Sequence, residues 1–427
     1  MKRRQFIRAL GAGGAAASAA LVAGCAGMRT GSGPRVVVVG GGYGGATAAK
    51  YIRMWSDGQV QVTLVEPNTS FVSCPISNLV LGGSKTIAEV TTPYDNLARR
   101  HGVTLVRDTV TAIDADRRIV RLAGGGELPW DRLVLSPGVD FMWEKLPGMG
   151  RPGAQDRVLH AWKAGPQTVA LRRQLEAMPD GGVYALAIPL APYRCPPGPY
   201  ERACQVAHYF SQAKPRSKVL VLDANEDVTS KGPLFKKAWA DRYRNIIEYR
   251  PKHALADVDA ATNTLKFEFS DDVKASVLNV VPDMRAGDIA VRSGLATANR
   301  RWCEVDWLTF ESRAMKGVHV LGDSIQIAPG MPKSAHMANQ HGKTCAAAVV
   351  ALLTGKQPNP LPIYNNTCYS FVSDKDVIHV ASVHRYDAAQ KTMVTVPGSG
   401  GVSTAASELE GAYAMGWARN IWADTLA

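Results

Sequence analysis

The sequence predicts an α/β protein with two Rossmann-like three-layer domains and a smaller C-terminal α+β domain. Three observations predict it. A run of valines, Arg35-Val36-Val37-Val38-Val39, breaks at Gly40 and passes into an Ala-rich helical pattern. A second strand-helix-strand start recurs at residues 183–223. A late apolar strand, Gly317-Val318-His319-Val320-Leu321, then delivers a Gly322-Asp323 pair.

The first segment carries the nucleotide signature. Successive β-branched residues suit a strand buried on both faces of a parallel sheet. Gly40, Gly42 and Gly45 fit G-x-G-x-x-G. The first allows a tight turn, the second lets backbone approach a pyrophosphate, and the third lets the following helix, from about Gly45, pack closely. Unpaired N–H groups at the helix start then face the phosphates. A second strand, residues 60–65, ends at Glu66, where a ribose-binding acid is expected. The motif specifies a dinucleotide without choosing NAD or FAD.

The next stretch, Pro67 to Asn78, contains Cys74. In two-domain flavoproteins this region passes the isoalloxazine, so Cys74 is placed for chemistry at a flavin. Residues 103–107 and 119–121 read as further strands, and Leu133-Val134-Leu135-Ser136-Pro137-Gly138 as a strand ending in a tight turn. Asp323 follows the late strand, where an aspartate would accept from the ribityl hydroxyl of FAD. A helix over residues 334–353, just after Lys333, would aim its N-terminal dipole at the flavin and favour an anionic reduced ring. The first domain is therefore discontinuous, 34–141 and 286–355, and this two-part form favours FAD.

The insert, 142–285, begins with a strand at 183–188, a helix at 200–212 and a strand at 218–223. The joining loop is Pro189-Leu190-Ala191-Pro192-Tyr193-Arg194-Cys195-Pro196-Pro197-Gly198-Pro199. Prolines remove N–H donors and fix φ, so this loop is not built to cradle a second pyrophosphate. That disfavours a nicotinamide reductant. The tail, 356–427, opens with a Pro/Asn-rich linker and holds Asn366-Thr367-Cys368-Tyr369-Ser370. Strand-like runs follow at 377–383 and 391–396, then an aromatic helix with Trp417 and Trp422. It is expected to dock on the flavin face or on a partner.

The chain has 427 residues, 46% hydrophobic and 20% charged, as in an ordinary globular protein. Residues 1–27 read as a targeting segment. Lys2-Arg3-Arg4-Gln5-Phe6-Ile7-Arg8 resembles a twin-arginine export signal, and an Ala/Gly/Leu-rich stretch follows. Val22-Ala23-Gly24-Cys25 also fits a lipoprotein cleavage box; the alternatives are a lipid on Cys25 or cleavage near Ala26 to give a soluble periplasmic protein. The net charge is +12, and loss of Lys2, Arg3, Arg4 and Arg8 leaves +8. No basic-aromatic tract points to nucleic acid. Six further cysteines, Cys74, Cys195, Cys204, Cys303, Cys345 and Cys368, are irregularly spaced with no C-x-x-C. That argues against a zinc site and against covalent haem c on this chain. Any haem must come from a partner.

These residues together resemble the flavoprotein subunit of flavocytochrome c sulfide dehydrogenase, a member of the glutathione-reductase-like superfamily. The carrying stretches are residues 36–51, 62–68 and Arg194-Cys195-Pro196-Pro197-Gly198-Pro199-Tyr200-Glu201-Arg202-Ala203, then Thr309-Phe310-Glu311-Ser312, Met331-Pro332-Lys333-Ser334 and Asn366-Thr367-Cys368-Tyr369-Ser370. The resemblance implies FAD joined covalently to Cys74 and a redox-active disulfide between Cys195 and Cys368. It also implies an acid-base role for Glu201, a flavin-proximal Lys333 and an aromatic position at Trp417. Cys204 is extra to the family pattern, and Pro75 beside Cys74 departs from it. Cys204, Cys303 and Cys345 read as buried small hydrophobes. His336 and His341 read as packing or surface residues. Glu201 has an alternative reading as a partner of Arg202 or Arg194. The implied function is oxidation of hydrosulfide to polysulfide or sulfur, with electrons passing through FAD singly to a c-type cytochrome subunit in a heterodimer. Sulfide:quinone oxidoreductase is the alternative, but it would need a membrane-inserting amphipathic tail, which residues 356–427 do not convincingly supply. A non-catalytic FAD-bearing electron carrier is a third reading, disfavoured by Cys195 and Cys368.

Overall fold

The valine strand Arg35–Val39 is buried beyond its first residue and lies at the centre of a five-stranded parallel sheet. In this computed structural model, which describes residues 33–427, the sheet runs in the order Val318–Val320, Arg132–Leu135, Arg35–Val39, Gln61–Val65, Thr104–Val106. Val36 lies opposite both Val62 and Arg132, and Val318 opposite Leu133. The late strand thus completes a sheet begun almost three hundred residues earlier. The expected export segment and Cys25 lie outside the described residues.

The helix after the glycine turn is Tyr43–Trp55, two residues earlier than the apolar pattern suggested. Its N-cap, Gly42, is extended and brings no side-chain cap, so the first N–H groups are left for another acceptor. This helix crosses the helix Ala335–Leu353 at glycine. A Cβ on Gly342 would lie 2.6 Å from the Gly44 carbonyl oxygen and 3.0 Å from the Thr47 Cβ. The small residues Ala46, Ala48 and Ala49, all fully buried, let the two helices approach this closely.

The second sheet is four-stranded and parallel, in the order Ile247–Arg250, Lys218–Asp223, Val183–Ile188, Val277–Val280. Its helix, Gly198–Ala213, starts two residues before the expected Tyr200. Pro199 explains the early start, since its fixed φ suits the first turn of a helix.

The tail forms an antiparallel sheet of Ile363–Phe371, Val377–Asp387 and Thr392–Thr395, with Gly401–Val402 added beside Val377–Asp387. The final helix, Glu408–Leu426, is pinned to the first helix of the chain. Lys50 Nζ donates to the carbonyls of Ala423 (3.1 Å) and Asp424 (3.0 Å), and the Tyr51 hydroxyl donates to the Asp424 carboxylate at 2.5 Å. A cation at helix-terminal carbonyls satisfies orphan acceptors and opposes the dipole. Residues 34–427 form one contiguous unit. No helix among the described residues is long and apolar enough to cross a membrane.

Several histidines are held neutral by burial, His341 and His319 among them. His341 packs among Trp307, Phe310 and Tyr364, and burial lowers its pKa to about 3. His319 bonds the Thr309 carbonyl at 2.8 Å, and burial lowers its pKa to about 4. Both titrate near 6.5 once unfolded. Between these values the unfolded chain binds more protons, so stability rises with pH there and falls as pH drops from about 6.5 towards 4. Replacing His341 with Leu is expected to flatten that dependence by about 1.4 kcal/mol per pH unit, one proton's worth. Urea unfolding of both proteins between pH 4.5 and 7 would check it; parallel curves would contradict it.

Candidate active site

The glycine loop shows why each glycine is needed. Gly40 has φ +95°, and a Cβ there would strike the Ser136 carbonyl; a Cβ on Gly45 would strike the Gly40 carbonyl oxygen. A Cβ on Gly42 would meet nothing within 4 Å. Gly40 and Gly45 therefore satisfy the protein's own packing, and Gly42 keeps open the face a pyrophosphate needs. Glu66 ties the loop down: one carboxylate oxygen accepts from the Gly41 amide at 2.7 Å, the other from the Asn68 amide at 2.9 Å. Gly322 has φ +73° and turns the chain out of Val318–Val320 into Asp323. No protein hydrogen bond is recorded to the Asp323 carboxylate. Burial raises its pKa, against the pull of Arg194 and Lys333.

Lys333 is almost fully buried. Its ammonium donates to the carbonyls of Asp323 (2.9 Å) and Ile325 (2.5 Å) and lies 3.6 Å from the Trp302 ring centroid. Burial lowers its pKa to about 7. The next residue, Ser334, caps the helix Ala335–Leu353 by accepting from the Met337 amide. An open glycine face, an acid after the second strand and a half-buried Asp323 carboxylate without a protein donor fit FAD.

Cys195 ends the proline loop in a left-handed conformation, φ +58°, and its amide donates to the Lys333 carbonyl at 2.9 Å. The strand Ile363–Phe371 brings in Cys368 from the tail. Both are free thiols here, and they are neighbours: burial, then Cys368, then Glu201 push the Cys195 thiol up. Burial also raises Cys368, but Lys231 and hydrogen bonds from Asn366 and Ser334 oppose it. The Asn366 amide lies 3.5 Å from the Cys368 sulfur.

Cys74 is partly buried, its sulfur 3.9 Å from the Trp162 carbonyl, to which Arg194 also donates. Burial works against the charge on Arg194, yet Cys74, Asp323 and Cys195 together hold its pKa above the ordinary value. One guanidinium thus serves all three groups, and its buried Nε has no partner.

Glu201 is buried in the first turn of Gly198–Ala213. It accepts from the Asn78 side chain (2.7 Å) and from the Phe371 amide (2.8 Å), and burial raises its pKa. No ion pair with Arg202 or Arg194 forms. Arg202 instead donates to the carbonyls of His160 (2.9 Å) and Ala161 (2.6 Å) and to the side chains of Asn78 and Asn279.

Sequence reasoning assigned no role to Lys231, Asn78 or Asn366, and read Arg194 only as an alternative partner of Glu201. Asn366 was within reach, because residues two apart on a strand share a face. Lys231 sits in a Thr-Ser-Lys-Gly-Pro turn with no motif around it. Trp417 lines a groove of about 540 Å³ with His336 and Tyr369, its ring 6.1 Å from that of Tyr369, the residue after Cys368. Trp422 is the residue that reaches the glycine-loop helix, donating to the Tyr43 hydroxyl at 3.0 Å; that hydroxyl also bonds Ser73, next to Cys74. Cys204 is buried and accepts from the Trp239 indole at 3.2 Å.

Two Rossmann-like sheets, an FAD-type cradle and a cysteine pair across it define a flavin-dependent oxidoreductase of the pyridine nucleotide-disulphide oxidoreductase type, a family description that matches residues 34–178. Two narrower descriptions also match: "Sulfide dehydrogenase [flavocytochrome c] flavoprotein chain, central" over residues 168–282, and "Flavocytochrome c sulphide dehydrogenase, flavin-binding" over 360–426. Both narrower matches make the chain similar to the flavoprotein chain of flavocytochrome c sulfide dehydrogenase. It is 65% identical over 46 residues to the sulfide dehydrogenase flavoprotein chain of Chlorobaculum thiosulfatiphilum, covering 11% of this chain and 94% of that sequence. It is 26% identical over 321 residues to the mitochondrial sulfide:quinone oxidoreductase of Mus musculus, 72% of this chain and 69% of the mouse protein. The sulfide:quinone oxidoreductase structure from Aquifex aeolicus shares the fold, with TM-score 0.72 and 16% identity over 92% of this chain and 91% of that one.

The glycine geometry yields a paired prediction. Gly45→Ala forces overpacking against Gly40 and is expected to cost about 1–3 kcal/mol of stability. Gly42→Ala is expected to leave flavin-free stability unchanged and to weaken FAD retention. Thermal unfolding and flavin absorbance of the two variants would check both; equal destabilisation would contradict the assignment.

Proposed function

We propose that this chain oxidises hydrosulfide to polysulfide or sulfur through a Cys195–Cys368 disulfide and FAD, and delivers single electrons to a c-type cytochrome subunit. One observation carries it: Cys195, on a proline loop of the second domain that lacks a nucleotide loop, has Cys368 of the tail strand and Glu201 among its electrostatic neighbours, and Glu201 bonds that strand at the Phe371 amide. The cytochrome is favoured over a quinone by the two flavocytochrome c family matches. The mouse and Aquifex relatives keep sulfide:quinone oxidoreductase as the second reading.

In the first step hydrosulfide attacks one sulfur of the disulfide and the other leaves as a thiolate. A second hydrosulfide removes the outer sulfur as a hydropolysulfide, leaving a dithiol. Glu201, whose burial favours the protonated form, exchanges the proton that the sulfur pair gains and loses. Arg194 keeps positive charge beside Cys195 and Asp323. Gly40, Gly42, Gly45, Glu66, Asp323 and Lys333 would hold FAD, with Cys74 as its covalent attachment, and bound FAD would supply acceptance of an electron pair and its release in single-electron steps. Haem belongs to the partner. Twin-arginine export, supported by residues 2–8, puts this chemistry in the periplasm, with a lipid on Cys25 as a possible anchor.

Sulfide is expected to bleach the flavin of the purified holoprotein anaerobically, and cytochrome c to restore its colour faster than a quinone. Faster recovery with quinone would favour the second reading, and no bleaching would defeat both. Cys195→Ser and Cys368→Ser are each expected to slow bleaching by roughly 1,000-fold or more, to similar extents, because the two act as a unit. Acid precipitation is expected to leave flavin on the wild-type chain and to release it from Cys74→Ser. Release from both would remove the covalent link.

A further inference from the structure

Lys231 is a buried cation that the reaction as described leaves unused. It sits in a left-handed turn, φ +57°, one residue before the helix Gly232–Arg242. Left-handed backbone is costly for a residue with a Cβ, and nothing in the local sequence requires it. The side chain is 7% exposed, and its ammonium donates to the Cys368 carbonyl (2.9 Å), the Ser370 hydroxyl (2.7 Å) and the Ile378 carbonyl (3.4 Å). All three acceptors are neutral, and no carboxylate lies within ion-pair distance among the described residues. A buried ammonium without a counter-ion is normally disfavoured. Burial lowers its pKa to about 8. The groups that favour the charge are Cys368 first, then Glu201, Cys195 and Glu410. Of these, Glu410 is already engaged by His379 at 3.0 Å and Ser403 at 2.6 Å, and Glu201 by Asn78 at 2.7 Å and the Phe371 amide at 2.8 Å. That leaves the two sulfurs, Cys368 and Cys195, and Cys368 acts on Lys231 more strongly; Lys231 also bonds the Cys368 carbonyl and Ser370, two residues along the same strand, and the Asn366 amide lies 3.5 Å from the Cys368 sulfur.

We infer that Lys231 is a positioning residue that supplies the counter-charge for Cys368 when the sulfur pair is cleaved, so that Cys368 leaves as the thiolate and Cys195 receives the substrate sulfur. The inference rests on the sulfide reading above. The step balances. A bond forms between the hydrosulfide sulfur and the Cys195 sulfur, and the Cys195–Cys368 bond breaks. The electron pair of the broken bond goes to the Cys368 sulfur. The incoming sulfur is oxidised to the sulfane level, the disulfide is reduced, and the single negative charge of hydrosulfide reappears on Cys368 beside Lys231. The proton stays on the outer sulfur of the Cys195 persulfide.

The test is alkylation of the dithiol-reduced holoprotein with iodoacetamide from pH 5 to 10, each cysteine followed by peptide mass spectrometry. In the wild type, Cys368 is expected to react with the lower apparent pKa; the opposite order overturns the inference and needs no variant. In Lys231→Met, alkylation of Cys368 at pH 7 is expected to fall by roughly tenfold or more as the neighbouring charge is lost, with Cys195 little changed. Lys231→Arg is expected to restore most of it. An unchanged Cys368 profile in a Lys231→Met protein that still binds flavin would also overturn the inference. Quenching with iodoacetamide after one equivalent of sulfide is expected to give the persulfide adduct on the Cys195 peptide. An adduct on the Cys368 peptide contradicts the assignment, whereas no adduct on either defeats the sulfide reading and leaves the thiol titration to judge Lys231.

Discussion

A buried carboxylate holds the site together. Glu201 projects from the second-domain helix and accepts from Asn78, four residues beyond Cys74, and from the Phe371 amide, three residues beyond Cys368. One side chain thus fixes three segments far apart in sequence. A carboxylate out of water costs several kcal/mol unless its oxygens are satisfied, so these hydrogen bonds are obligatory. A second tie acts in the same direction: the Cys195 amide bonds the Lys333 carbonyl, joining the proline loop to the entry of the flavin-side helix. The sulfur pair is therefore located by bonds made from residues on either side of it.

The charges around this point are arranged by sign. Arg194 acts on Cys74, Cys195 and Asp323, and Lys231 acts chiefly on Cys368, whose carbonyl it bonds. Glu201 lies between, and its burial favours the neutral form. A thiol-disulfide centre needs positive charge near the sulfur that becomes anionic and a nearby proton for the one that does not. Both are present without a metal ligand set: among the described residues no group of three or more His, Cys, Asp and Glu side chains is placed to hold one.

Much of the fold was legible because its signals are local. The valine strand, the glycine turn and the Gly322-Asp323 strand end each follow from adjacent residues, and the strands appear where expected. The proline loop was equally legible, since prolines delete donors whatever surrounds them. The site was legible only in part. Cys195, Cys368 and Glu201 entered through family resemblance, and nothing in their spacing brings them together. Lys231 was invisible: its importance comes from a strand that folds over it from the tail. That Trp422 bonds the Tyr43 hydroxyl depends on the rotation of the last helix against the first, which the sequence of that helix alone does not specify. Arg194 stood beside Cys195 in plain view, but only the fold showed that it also reaches Cys74 and Asp323.

The central claim is that the two cysteines and the flavin form one redox unit. An anaerobic titration of the oxidised holoprotein with dithionite, followed by flavin absorbance and by the number of alkylatable cysteines, tests it most directly. The account predicts uptake of two electron pairs per chain, with Cys195 and Cys368 becoming alkylatable together as one pair is taken up and the flavin bleaching with the other. Uptake of a single pair, with both cysteines already alkylatable before any dithionite is added, would contradict it.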